Sequence, residues 1–132
     1  KYLDMAEKIY NFIFNNPNLP EDLVPYWDFD APNIPNEPRD VSAAACTASA
    51  LYELSTYIPG KNYKETADKI MENLASPAYR AEVGTNGNFI LMHSVGSIPH
   101  GAEIDVPLNY ADYYFLEGIM RKRDLESNKK LF

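Results

Sequence analysis

The chain is short of cysteine, of basic residues and of long apolar runs, and each shortage removes a class of protein. One cysteine, Cys46, cannot close an internal disulfide, which excludes a small disulfide-stapled module and leaves the compartment open. Lys and Arg number 12 against 19 Asp and Glu, for a formal net charge of −7. Such a surface repels phosphate backbones and argues against a nucleic-acid partner, although a local pocket can still accept a small acidic ligand. No apolar run approaches the roughly 20 residues that a membrane-spanning helix needs, so no membrane partner is expected. What is present is a globular composition, 45% hydrophobic over 132 residues, enough for a real core. Lys1-Tyr2-Leu3-Asp4 carries no signal-peptide pattern and starts as though inside a helix, so the expectation is a segment of a longer chain.

Periodicity and boundary residues predict four helices with long loops and little strand. The first spans about 2–15, with Met5, Ala6, Ile9, Phe12 and Ile13 on one face and the other face in solvent. Six prolines between residues 16 and 40 forbid a long helix there and predict an ordered loop, anchored by Tyr26, Trp27 and Phe29. Asp40 is the predicted N-cap of a helix over about 41–55. That helix carries one charged residue, Glu53, and a seam of Ala44, Ala48 and Leu51, so it should be buried. Asn62 with Glu65 reads as a capping box opening a third helix, solvent-facing on one side, that ends near Ala75. Thr85-Asn86-Gly87-Asn88 is a turn, and Phe89 to His93 is a strand-like run. The fourth helix, about 109–122, is aromatic, and Arg121, Lys122 and Arg123 suit its negative end. After Asp124 a polar, frayed tail is expected.

The order charged, apolar, charged, aromatic is not that of an isolated four-helix bundle, whose helices would share one amphipathic design. It is expected of helical hairpins set around a ring, one helix of each pair outside and one inside. The predicted fold is therefore all-α, a slice of an α/α toroid.

Residues 93–107 form the richest candidate for ligand contact. Ser94 and Ser97 offer orientable hydroxyls, and Gly96 between them lets backbone approach a ligand. The alternative is a tight loop whose serines cap their own backbone. His93, His100, Glu103 and Asp105 lack the i, i+4 spacing of helical zinc pairs, so no metal is assigned. A calcium loop starting at Asp28 would need glycine and glutamate where Asn33 and Arg39 stand; Asp28 and Asp30 should instead cap amides or pair with Arg39. Cys46, in the small-residue helix without a patterned histidine, reads as a buried small hydrophobe. Ser94, His100 and Asp105 lack the turn of a serine-hydrolase elbow. Tyr110, Tyr113 and Tyr114 could stack on sugars, but aromatic residues on an inner helix are core by default.

The run His93-Ser94-Val95-Gly96-Ser97-Ile98-Pro99-His100-Gly101-Ala102-Glu103-Ile104-Asp105-Val106-Pro107, continuing to Glu117, resembles the C-terminal signature of the unsaturated glucuronyl hydrolases, glycoside hydrolase family 88. Pro25-Tyr26-Trp27-Asp28-Phe29-Asp30-Ala31-Pro32 and Arg39-Asp40-Val41-Ser42-Ala43-Ala44-Ala45 resemble the same family upstream. The resemblance implies that residues 1–132 are the C-terminal segment of a single (α/α)6 glycoside hydrolase domain. The implied activity removes a 4,5-unsaturated uronic acid from lyase-generated oligosaccharides of chondroitin, hyaluronan or heparin type, without a cofactor. It also implies substrate contacts at Ser94, Ser97 and His100; where the family carries a basic group, Pro99 and His100 stand here. The family's catalytic aspartates lie upstream, one directly after a histidine, and no His-Asp pair occurs in this chain, so no catalytic residue is carried over. The implied partners are the unsaturated uronide oligosaccharide and the N-terminal helices of the same polypeptide. Two other readings stay open: an unsaturated rhamnogalacturonyl hydrolase of the related family 105, and a helical interaction module with no enzymatic role.

Overall fold

Helix order and pairing follow from a few fixed side-chain contacts in the computed structural model, which describes residues 1–127. The helices are α1 (Tyr2–Phe14), α2 (Val41–Tyr57), α3 (Tyr63–Leu74) and α4 (Asn109–Glu126), with a 3-10 turn at Asn86–Asn88. Two strands, β1 (Ser94–Ser97) and β2 (Ala102–Val106), pair antiparallel between α3 and α4.

Contacts between α1 and α3 keep one register: the Tyr63 hydroxyl donates to Glu7 Oε1 at 3.0 Å, and Tyr10 meets Thr66 one turn on, at 3.3 Å. Both pairs lie 56 residues apart in sequence, so α1 and α3 run parallel. The same test applies to α2 and α4. Ser49 donates to Glu117, and Glu53 pairs with Arg121 one turn later, 68 residues apart each time. Those two helices are parallel as well. Short connections make α2 and α3 antiparallel, joined by the Tyr52 hydroxyl to Asp68 at 2.7 Å. Two parallel helices, α2 and α4, backed by two more, α1 and α3, that also run parallel to each other are what successive hairpins of an α/α toroid require.

Helix α2 is the centre of the core. Its Val41, Ala44, Ala45, Ala48, Leu51, Tyr52 and Leu54 are buried, the seam of small residues letting α3 and α4 approach on two sides. The closeness shows at Gly118 of α4, where a β-carbon would stand 3.0 Å from Met71 Sδ of α3. Asp40 caps α2 as expected, accepting from the Ser42 amide at 3.0 Å.

Several expectations need correcting. Asn62 does start α3, but its side chain makes no capping hydrogen bond. Cys46 is exposed, not buried. Helix α1 buries no residue: Met5, Ile9 and Phe12 are all more than half exposed, and only Ala6, Tyr10 and Phe14 pack partly on the core. Along α4, Tyr113, Leu116, Ile119 and Met120 are similarly uncovered. Helix α4 continues past Asp124 to Glu126, and of the expected tail residues 128–132 lie outside the described residues.

Candidate functional site

The long connections, residues 15–40 and 75–108, both enter the N-terminal ends of the parallel helices α2 and α4, whereas the opposite end is closed by the short turn at 58–62. Elaborate loops gathered at one end of a regular scaffold are the ordinary place for a binding site. These loops are ordered by polar anchors. Trp27 Nε1 donates to Glu37 at 2.8 Å, and Asp22 collects the Arg39 guanidinium and, at 2.5 Å, the Tyr79 hydroxyl. Arg39 also donates to the Val24 carbonyl and lies over the Tyr26 ring, so Asp22 rather than Asp28 or Asp30 is its acidic partner. Asp28 accepts from the Asp30 amide at 2.7 Å. Burial, with the Asp22 carboxylate beside it, pushes the Tyr79 hydroxyl well above the ordinary tyrosine range. The loop aromatics divide, Tyr26 buried and Trp27 and Phe29 half-buried.

The segment expected to be loop, 93–107, is a bulged hairpin. Ser94 pairs with Val106, Val95 with Ile104 and Ser97 with Ala102, leaving Asp105 as the extra residue. His93, Glu103 and Asp105 adopt left-handed backbone, at φ of 68°, 54° and 55°. Such conformations cost of order 1–3 kcal/mol each and persist only where the surroundings hold them. Here they are held: Asp105 Oδ1 lies 2.7 Å from His93 Nδ1, and Glu103 lies against Gly96. A β-carbon at position 96 would fall 2.8 Å from Glu103 Cβ and closer still to its carboxylate, so only glycine admits this packing.

Asp40 fastens the hairpin to α2. Its Oδ1 accepts from Ser42 Oγ at 2.6 Å and from the Val95 amide at 3.3 Å, besides the Ser42 amide. The Val41 amide donates to the His93 carbonyl at 3.1 Å. The strand-like run expected at Phe89–His93 forms no strand with a ladder, only a single bridge from Leu91 to Arg80. Around that bridge the Ala81 amide donates to the Ile90 carbonyl at 2.9 Å and the Met92 amide to the Tyr79 carbonyl at 2.8 Å, and Asp112 in the first turn of α4 accepts from the Ile90 and Leu91 amides at 2.8 and 2.9 Å.

The three expected substrate contacts separate into two places. Ser97 Oγ lies 2.6 Å from His100 Nδ1 at the hairpin's exposed turn. Ser94 is wholly buried at the root, and its hydroxyl is the single buried side-chain polar atom without a hydrogen-bond partner among the described residues. Two carboxylates flank the hairpin, Glu103 against Gly96 and Asp40 at the Val95 amide; sequence reasoning weighed Glu103 only as a metal ligand and Asp40 only as a helix cap. Tyr110, at the start of α4, has its pKa raised by burial and then by the Asp40 and Glu103 carboxylates. Cys46 lies away from the hairpin in an apolar groove between α1 and α2, lined also by Ile9, Tyr10 and Leu51. Desolvation there, with the Glu117 charge, raises its thiol pKa and makes it a poor nucleophile. Tyr113 and Tyr114 pack edge to face, centroids 5.1 Å apart, with Tyr113 exposed.

No family model matches this chain. Single proteins do. An unsaturated glucuronyl hydrolase of Formosa agariphila is 50% identical over 125 residues, which is 95% of this chain and 31% of that protein. The crystal structure of an unsaturated glucuronyl hydrolase specific for heparin superimposes with a TM-score of 0.92 at 47% identity, over 96% of this chain and 34% of that one. The chain belongs to the unsaturated glucuronyl hydrolases. More distant members of the family fit the same frame. An unsaturated chondroitin disaccharide hydrolase of Streptococcus agalactiae is 31% identical over 84% of this chain and 28% of its own length. The chain therefore spans about a third of the curated relatives it matches. Its fold is that of part of an (α/α)6 barrel, and among the described residues the apolar faces of α1 and α4 are uncovered.

Proposed function

We propose that this segment is the C-terminal part of an enzyme that removes a 4,5-unsaturated uronic acid from glycosaminoglycan fragments, and that its hairpin walls the substrate pocket. In this reading Ser97 and His100 present a polar edge to the sugar, and the spare hydroxyl of Ser94 supports the wall from beneath. The observation that carries it is the fastening of the hairpin, through Asp40, to the N-terminal mouth of the parallel inner helices. Relatives act on such substrates by name, including the chondroitin disaccharide hydrolases and the heparin-specific enzyme, and one solved relative holds dGlcA-GalNAc6S.

The chemistry differs from paired-carboxylate displacement at an anomeric carbon. An aspartic acid outside this chain delivers a proton to C4 of the C4=C5 vinyl ether, water adds its oxygen to C5 and returns a proton, and the resulting hemiketal opens to release the rest of the glycan. Such an acid needs a pKa raised enough to hold its proton near neutrality. This segment supplies binding rather than proton transfer. In the complete enzyme, loss of ultraviolet absorbance from unsaturated chondroitin and heparin disaccharides should report turnover. Replacing both Ser94 and Ser97 with alanine should raise KM more than it lowers kcat; unchanged kinetics would remove the hairpin from the pocket.

A further inference from the structure

The loop 16–40, helix α3 and the connection 75–108 meet at Asp22. Its carboxylate takes the Arg39 guanidinium, the Val24 amide at 3.1 Å and the Tyr79 hydroxyl at 2.5 Å, while its carbonyl accepts from Asn73 Nδ2 of α3 at 2.6 Å. Tyr79 is fixed along its whole length by this arrangement. Its hydroxyl is tied to Asp22, its ring lies in the core, its carbonyl accepts the Met92 amide at 2.8 Å, and Arg80 after it bridges to Leu91. The aromatic neighbour of that fixed ring is His93, edge to face, with centroids 6.4 Å apart and planes at 81°.

His93 stands directly before β1 in left-handed backbone, a conformation that a bulky residue keeps only where its surroundings hold it. The Val41 amide donates to its carbonyl at 3.1 Å, Asp105 Oδ1 lies 2.7 Å from its Nδ1, and Tyr79 packs against its ring. Asp105 is the bulge residue, left over between the paired Ile104 and Val106. The direction of the imidazole therefore fixes the bulge, and the bulge sets the register that carries Ser97 out to the exposed turn. We propose that Tyr79 is a positioning residue: its ring seats the His93 imidazole on Asp105 and so holds Ser97 and His100 at the rim, a role in substrate binding that rests on the reading that the hairpin walls the uronide pocket.

The test uses the complete enzyme, an unsaturated chondroitin disaccharide, and the ring resonances of His93, assigned by their loss in His93→Gln. Tyr79→Leu removes the ring. It should shift those resonances and raise KM about two- to tenfold with kcat nearly kept, since a hairpin only fractionally in place binds more weakly in proportion. Tyr79→Phe keeps the ring and strips Asp22 of one donor, so it should lower the unfolding midpoint yet restore both the His93 resonances and KM. Ile70→Val, a truncation in the core of α3, should lower the midpoint and move neither. If Tyr79→Leu lowers stability but leaves the His93 resonances unmoved, Tyr79 is structural only and the proposal is overturned. If the resonances shift and KM does not, while the double serine variant still raises KM, the role in substrate binding is overturned and the pocket reading stands. If the double serine variant is silent as well, the pocket reading fails and takes the role in binding with it, and the resonances alone decide whether Tyr79 seats the hairpin.

Discussion

Asp40 is the residue whose loss should be felt at both ends of the argument, in the helix it caps and in the hairpin it holds. In Asp40→Ala, one acceptor oxygen disappears from three donors. The cap of α2 contributes about 1 kcal/mol. The Ser42 hydroxyl, in a buried residue, loses its partner at a cost of about 1 kcal/mol. The Val95 amide, at 3.3 Å, contributes roughly half that, since the bond is long. The sum is about 2–3 kcal/mol. Asp40→Asn keeps an acceptor oxygen and should lose about 1 kcal/mol or less. The Val41 to His93 bond survives both changes, so the hairpin should loosen rather than detach. Urea unfolding of the complete enzyme would read the total, and amide exchange at Val95 would read the hairpin. Exchange there should accelerate in the alanine variant while α3 amides keep their protection. An alanine variant within 0.5 kcal/mol of wild type, with unchanged exchange at Val95, would refute the claim that one carboxylate joins the two elements.

Two further perturbations probe the scaffold. Arg121→Met should cost about 2–3 kcal/mol, because it strips the Ser49 carbonyl of its donor and leaves Glu53 and Glu117 facing each other without a cation; adding Glu117→Gln should recover part of that loss in a double-mutant cycle. Asp68 concerns pH: burial opposes its charge, but hydrogen bonds from Lys64, Lys122 and Tyr52 outweigh this and hold its pKa below the ordinary value. A depressed folded pKa gives stability that is present above the unfolded value and lost as pH falls through the folded one. Asp68→Asn should therefore lower the unfolding midpoint at pH 7, with the gap to wild type closing as the pH falls below the ordinary aspartate range and through the folded-state pKa, as urea or thermal unfolding across pH would check.

The parts of this fold legible in the sequence were those with local causes. Asp40 is a cap because its side chain reaches an amide two residues on, and Ala44, Ala48 and Leu51 are buried because a helix with one charge has no solvent face. The hairpin had no such signature. Ser-Val-Gly-Ser opposite Ala-Glu-Ile-Asp-Val shows no clean alternation, the extra Asp105 shifts the register, and left-handed glutamate and aspartate leave no mark in composition. What stabilises it comes from 55 residues away, at Asp40. The run before it, Phe89 to His93, is apolar like a strand yet has only a one-bridge partner at residues 79–81 on one edge and the Asp112 carboxylate on the other.

The misplaced residues carry their own information. Hydropathy puts Cys46 in the interior and makes α1 an ordinary half-buried surface helix, because it says how apolar a residue is and not which neighbour covers it. In the structure Ile9 and Phe12 of α1, and Leu116, Ile119 and Met120 of α4, stand uncovered together with the groove beside Cys46. For a free-standing four-helix bundle this would be a costly surface, about 25 cal/mol for every Å2 of apolar area left in water. For a slice of a ring it is a requirement, since each helical hairpin must offer an apolar flank to the next. The parallel registers of α1 with α3 and of α2 with α4 fix where those flanks point: along the ring, with the long loops and the hairpin gathered at one rim. The same geometry that leaves those flanks bare gathers Ser97 and His100 at that rim, where the proposed pocket lies.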